Sequence, residues 1–261
     1  MTACPQQARL PAPARRLPPA QLLARLDLEL GRVAGPAALA FDGDGTLWHG
    51  DVGEALFAAV LRERAVRPAA APALRALARR HGLPAARGEP TALAAALLAR
   101  YRRGALPERA AFEMMAWAYA GFTPAELDAF VARALRPGAR DGRPRRELGP
   151  VLRWARRRGI EIWVVSASPR AAVTHVAARL GLPAGRILAM TPVVQGGLLA
   201  ARLERPTTYG AGKLRSLRAA SAGYDAAMLR AARLPVAVGP AEELLGARPR
   251  ITGLVALAPE S

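Results

Sequence analysis

Leucines recur at helical spacing over residues 20–32 (AQLLARLDLELGR), and this stretch predicts an amphipathic helix. Gly35 and Pro36 break the pattern. The next segment, AALAF at 37–41, is short and apolar and stops at Asp42, which suits a buried strand. From Glu54 to about Arg136 alanine, leucine and arginine dominate, and breaks at Pro68, Pro72, Gly82, Pro84, Gly88, Gly104, Gly121 and Pro124 divide the block into several short helices. The clearest of these starts at TPAELDAF: Thr123 can cap, Pro124 takes the first helical position and Glu126 lies three past the cap. No strand pattern interrupts this block, and RPGARDGRPRREL (136–148) reads as the linker that ends it.

Beyond the linker the period changes. VLRWARRRG (151–159) predicts a helix closed by Gly159, and IEIWVV (160–165) is β-branched and apolar, as a central strand is. SASPRAAVTHVAARLG reads as a loop and helix, RILAM (186–190) as a short strand, and the residues around GGLLAARLE as a hairpin. PVAV (235–238) and ITGLVALA (251–258) are the last strand candidates. Alternation on both sides of an all-helical block predicts an α/β fold, a doubly wound parallel sheet with an α-helical cap inserted after its first strand. The expected division is a flexible leader (1–18), a core (19–48 and 148–261) and a cap (49–147).

Composition narrows the function. With 261 residues, 52% of them apolar, the chain can bury a sizeable core. It has no uninterrupted apolar run of membrane-spanning length, and its first twenty residues lack the apolar segment of a secretory signal, so a cytoplasmic protein is expected. Cys4 is the single cysteine, which leaves no internal disulfide and no cysteine-rich zinc site. The net charge of +18 raises the possibility of a nucleic-acid partner. The cations are scattered at helix-like intervals, however, and only nine Tyr and Phe residues accompany the tryptophans, so a solvated arginine-rich surface is favoured. Of the 38 basic residues 37 are arginine, and Lys213 is the one lysine. A solitary lysine in that background marks a place that needs a compact ammonium rather than a planar guanidinium.

Ligands of open parallel sheets bind at the carboxyl ends of the strands. Asp42 and Asp44 stand just past AALAF, and Ser166 just past IEIWVV, so two acids and a hydroxyl converge from distant parts of the chain. Paired carboxylates can divide phosphoryl transfer between them, one attacking phosphorus and the other moving the proton. Their charge beside an anionic substrate calls for Mg²⁺, which takes one or two carboxylates plus phosphate oxygens. Gly43 and Gly45 allow a tight loop with backbone N–H groups toward phosphate, and Ser166 and Lys213 would hold phosphoryl oxygens. An Asx-type turn or cap is the simpler alternative for the acid pair.

FDGDGTLW, VVSASPR and YGAGK, in that order, resemble the first three motifs of the haloacid dehalogenase superfamily, in its phosphoserine-phosphatase-like branch with a helical cap. The resemblance covers most of residues 37–240. It implies Asp42 as nucleophile and metal ligand, Asp44 as general acid/base and, through its backbone carbonyl, metal ligand, and Ser166, Lys213 and Gly45 around the phosphate. Asp51 matches best the place of a substrate-contacting acid at the start of the cap, with a helix N-terminal charge as the alternative. The fourth motif departs from the pattern: in ASAGYDAAMLRAARLPVAV, Ser221 stands where the metal-binding Asp is expected and only Asp225 remains as a candidate ligand. Lys213 and Ser221 are eight positions apart, whereas a helix, a strand and their connections need about twenty; the strand carrying this motif is expected to be missing or a stub. Two readings follow: a Mg²⁺-dependent phosphatase acting through an aspartyl phosphate on a small phosphorylated metabolite such as phosphoserine, or an impaired relative that binds a phosphoryl ligand without turnover. His49, His175 and Arg170 are weaker candidates, and the four tryptophans read as core.

Overall fold

The computed structural model describes residues 16–32, 37–83, 88–138, 140–204, 207–210, 212–213, 215–216, 236–237 and 255–257. Strands β1 (Arg16–Leu17) and β2 (Ala38–Phe41) flank helix α1 (Pro19–Leu30). Five helices follow β2: α2 (Val52–Arg62), α3 (Ala71–Arg80), α4 (Pro90–Arg102), α5 (Glu108–Trp117) and α6 (Pro124–Ala134). The alternating part then runs through α7 (Gly149–Arg157), β3 (Glu161–Pro169), α8 (Arg170–Ala178) and β4 (Ile187–Met190). A hairpin, β5 (Pro192–Gln195) and β6 (Leu198–Leu203), comes next, and β7 (Val236–Ala237) and β8 (Val255–Leu257) close the order.

The central sheet is parallel in the order β2-β3-β4, with Ala38 opposite Glu161 and Phe41 opposite Val164. Side chains alternate across β3. Ile162 and Val164 join the main core with the buried residues of α7 and α8, while Trp163 and Val165 meet Ala40 and Leu188 on the opposite face. This Rossmann-like α/β arrangement is the one the sequence predicts.

Two details differ from the sequence reading. The expected leader does not end as free chain, because Arg16 and Leu17 pair in parallel with Ala256 and Leu257, in a second sheet of order β1-β8-β7. The strand expected at 160–165 runs on to Pro169, so Ser166 lies within it rather than past it. Between Val165 and Pro169 the register with β4 shifts, four steps along β3 answering two along β4. Such a bulge bends a strand and re-aims its side chains. Residues 217–235, which contain Ser221, Asp225 and the expected stub, lie outside the described residues.

The helical insert is built as its punctuation predicts. On α6 the Thr123 hydroxyl accepts from the Glu126 N–H (3.2 Å) and the Glu126 carboxylate accepts from the Thr123 N–H (2.7 Å), a reciprocal cap. Arg67 holds the same carboxylate at 2.9 Å and 3.0 Å and lies 4.0 Å over the Phe122 ring. One apolar cluster runs from Leu56, Phe57, Leu97 and Met114 of the insert to Val164 and Val173 of the core. The hairpin docks on the insert through Gly121 N–H to the Leu199 carbonyl and Leu199 N–H to the Phe122 carbonyl, each 2.8 Å. Among the described residues no helix is long and apolar enough to cross a membrane.

Candidate active site

Because Phe41 pairs with Val164, the loop that begins at Asp42 leaves β2 alongside Ser166 and the bulged end of β3. The loop closes through Leu47 N–H to the Gly43 carbonyl (2.8 Å) and Gly45 N–H to the Gly50 carbonyl (3.2 Å). Gly45 has a φ of +71°, which a residue with a Cβ adopts only under strain. At Gly43 the restriction is contact, since a Cβ would stand 2.6 Å from the Trp48 ring. Beyond the loop, residues 47–49 run beside 142–145, with Arg145 N–H to the Leu47 carbonyl and His49 N–H to the Arg143 carbonyl at 3.0 Å and 2.9 Å. The chain therefore enters and leaves the insert through adjacent segments.

Asp44 is the most heavily bonded group of the site. Its Oδ1 accepts from the Trp48 indole (2.9 Å) and from the Val52 N–H at the start of α2 (2.8 Å). Its Oδ2 accepts from the hydroxyls of Ser168 (2.7 Å) and Ser166 (3.2 Å). One carboxylate thus ties the β2 loop, the bulged strand and the insert's first helix together. Ser166 is wholly buried and its Oγ also accepts from the Ser168 N–H at 3.0 Å.

Asp42 is different in kind. Its side chain is 43% exposed, and its Oδ1 meets the Lys213 ammonium at 2.5 Å. Desolvation by the packed strand ends raises its carboxyl above the ordinary value, and Lys213 opposes that rise; the open side and the raised value coexist because one flank of the carboxylate faces protein. The loop leading to Lys213 is held by α5: Tyr209 Oη donates to Glu108 (2.6 Å), and Thr207 Oγ1 accepts from Arg109 (3.2 Å) and donates to Glu113 (3.4 Å). The Glu108 contact pushes the Tyr209 phenol up to about 12.

Asp51 caps α2, accepting from the Glu54 N–H at 2.8 Å. Burial, with the Asp44 charge second, pushes its carboxyl up to about 7. The structure therefore brings Asp42, Asp44, Ser166 and Lys213 to one loop cluster, with Asp51 close enough to feel the Asp44 charge. Gly45 gives its N–H to the Gly50 carbonyl rather than leaving it for phosphate, because that bond closes the loop, and Asp225 lies outside the described residues. Arg170, a weak candidate for a substrate anion, instead donates to the Ile187 and Ala184 carbonyls at 2.7 Å and 3.0 Å. Trp48 is core, as expected, but also a donor to Asp44. The sequence reading missed Ser168 altogether. The signal was there: in VVSAS the serines are two apart and share a face of the strand.

Among the described residues no group of three or more His, Cys, Asp or Glu is placed to hold a metal ion. The half-open Asp42 carboxylate, with the Asp44 backbone carbonyl two residues on, fits the small protein share that Mg²⁺ needs when substrate phosphate completes its shell.

The family model described as haloacid dehalogenase-like hydrolase matches residues 39–232. Among solved structures, a protein of unknown function from Bordetella pertussis Tohama I is 23% identical, with a TM-score of 0.62, over 86% of this chain and 99% of that one. A HAD family hydrolase from Salmonella enterica serovar Typhi is 18% identical over 90% of this chain and 70% of that one, with a TM-score of 0.47. A phosphoserine phosphohydrolase-like protein from Francisella tularensis is 16% identical over 78% and 77%, with a TM-score of 0.45. The Bordetella protein shares the fold. No curated protein matches the sequence.

Proposed function

The chain belongs to the haloacid dehalogenase-like hydrolases, and from that premise we propose that it is a Mg²⁺-dependent phosphatase of small phosphomonoesters, phosphoserine-like in size, with the helical insert as a cap over the site. The observation that carries this reading is the contrast between the two acids. Asp42 is half exposed beside the one lysine of the chain, while Asp44 is fixed next to it by four donors.

In this reading an Asp42 oxygen attacks phosphorus, the ester P–O bond breaks, and Asp44 gives its proton to the departing oxygen. Water then attacks the aspartyl phosphate, Asp44 takes its proton, and phosphate leaves with Asp42 restored. Lys213 offsets the charge that builds on the phosphoryl oxygens. Ser166 reaches those oxygens by exchanging its bond to Asp44 for one to substrate. Mg²⁺, when bound, neutralises the clash between Asp42 and the incoming anion; Asp42 and the Asp44 backbone carbonyl would hold it, with Asp225 the further carboxylate that the sequence offers.

Phosphate release from a broad phosphomonoester panel, with Mg²⁺ and with chelator, tests the proposal. The expected outcome is Mg²⁺-dependent turnover that falls by a factor on the order of 10³ or more in Asp42→Asn. If no ester is hydrolysed with abundant Mg²⁺, the enzyme reading is overturned. The alternative, a protein that binds phosphoryl ligands without turnover, is then the one to pursue; Ser221 in place of the expected metal-binding Asp favours it.

A further inference from the structure

Asp44 Oδ2 is the oxygen on which two serine hydroxyls converge, and the shorter contact, 2.7 Å, comes from Ser168 rather than Ser166. Ser168 is 2% exposed and sits under the first turn of α2, where a Cβ on Gly53 would stand 2.6 Å from its Oγ. Its hydroxyl proton is committed to Asp44. We propose that Ser168 is a positioning residue for proton transfer, holding the Asp44 carboxyl in one orientation whether or not it carries the proton. The inference rests on the phosphatase reading above.

The chemistry of the hydroxyl makes this possible. A serine O–H donates to a carboxylate and, after rotating about its C–O bond, accepts from the protonated acid. Ser166 is less suited, because its Oγ already accepts from the Ser168 N–H and it would turn toward substrate during turnover. Val52 N–H and the Trp48 indole fix Oδ1 but are donors only. Ser168 is therefore the partner of Oδ2 that can follow its proton on and off. The two-residue spacing puts both serines on one face of β3, within the stretch where the register with β4 shifts.

The test compares two esters with the full chain. An alkyl phosphomonoester that the wild type hydrolyses needs its leaving oxygen protonated, whereas p-nitrophenyl phosphate, whose leaving group is stable as an anion, does not. Ser168→Ala should lower kcat/KM, which reports the steps up to release of the leaving group and not the later attack of water common to both esters, by about 10- to 100-fold on the alkyl ester, within the range expected of general acid catalysis, and by less than about twofold on p-nitrophenyl phosphate. Gly53→Ala, which crowds the same hydroxyl without deleting it, should give the same ester-dependent loss. Equal losses of kcat/KM on both esters, or none on either, in folded variants overturn the Ser168 assignment while leaving the phosphatase reading intact. A wild type that hydrolyses no ester of the panel with abundant Mg²⁺ overturns the phosphatase reading and this inference with it.

Discussion

Asp51 spends one carboxylate oxygen on the N-terminus of α2 while lying close enough to Asp44 to feel its charge. Burial and that neighbour raise its carboxyl from an ordinary 3.8 to about 7. Between these values the folded state holds a proton that the unfolded chain has released, so stability falls as pH rises through the window. Asn caps a helix as well as Asp does but does not titrate. Asp51→Asn is therefore expected to match the wild type in thermal unfolding near pH 4 and to exceed it at pH 8, by on the order of 1 kcal/mol; a variant no more stable than the wild type at pH 8 would refute the charge penalty. At this scale the sequence named most of the cluster, because D-x-D after an apolar run and a lone lysine are chemical signals that need no partner to be noticed. For Ser168 the spacing in VVSAS signals only a strand face shared with Ser166; which oxygen its hydroxyl reaches is set by folding.

At the scale of elements, the caps and breaks along the chain decided where helices begin. TPAELDAF predicted both halves of the α6 cap, and the structure adds Arg67, which no local pattern connects with Glu126. Thr123→Ala removes the side-chain acceptor for the Glu126 N–H and is expected to cost about 1 kcal/mol in denaturant unfolding, with Thr123→Ser close to the wild type. The strand at IEIWVV was legible from its β-branched and apolar run; its extension through Ser-Ala-Ser-Pro was not. Polar and small residues there read as loop, and only pairing of Pro169 with Met190 keeps the backbone in the sheet. The short pair Arg16–Leu17, expected as leader, is likewise a strand only because Val255–Leu257 lies beside it, whereas Val236–Ala237 and Val255–Leu257 fall within the PVAV and ITGLVALA segments that the sequence marks as strands.

For the molecule as a whole, insert and core share one apolar cluster rather than meeting across a polar seam. Phe57 of α2 is fully buried in it. Phe57→Ala should lower stability by about 3–5 kcal/mol, and far-UV circular dichroism and tryptophan fluorescence should shift together, as a single cooperative transition requires. Two separated transitions would show that insert and core unfold independently. The sequence by itself determined the periodicities, the breaks, the order of β and α segments, and the residue types able to do phosphoryl chemistry, because each of these is written in neighbouring positions. Tertiary structure alone decided that Asp44 would be bound by four donors while Asp42 stayed half open. Those donors come from a tryptophan four residues on, a helix amide eight residues on and two serines more than a hundred residues away, and a hydrogen bond exists only where folding brings donor and acceptor within about 3 Å.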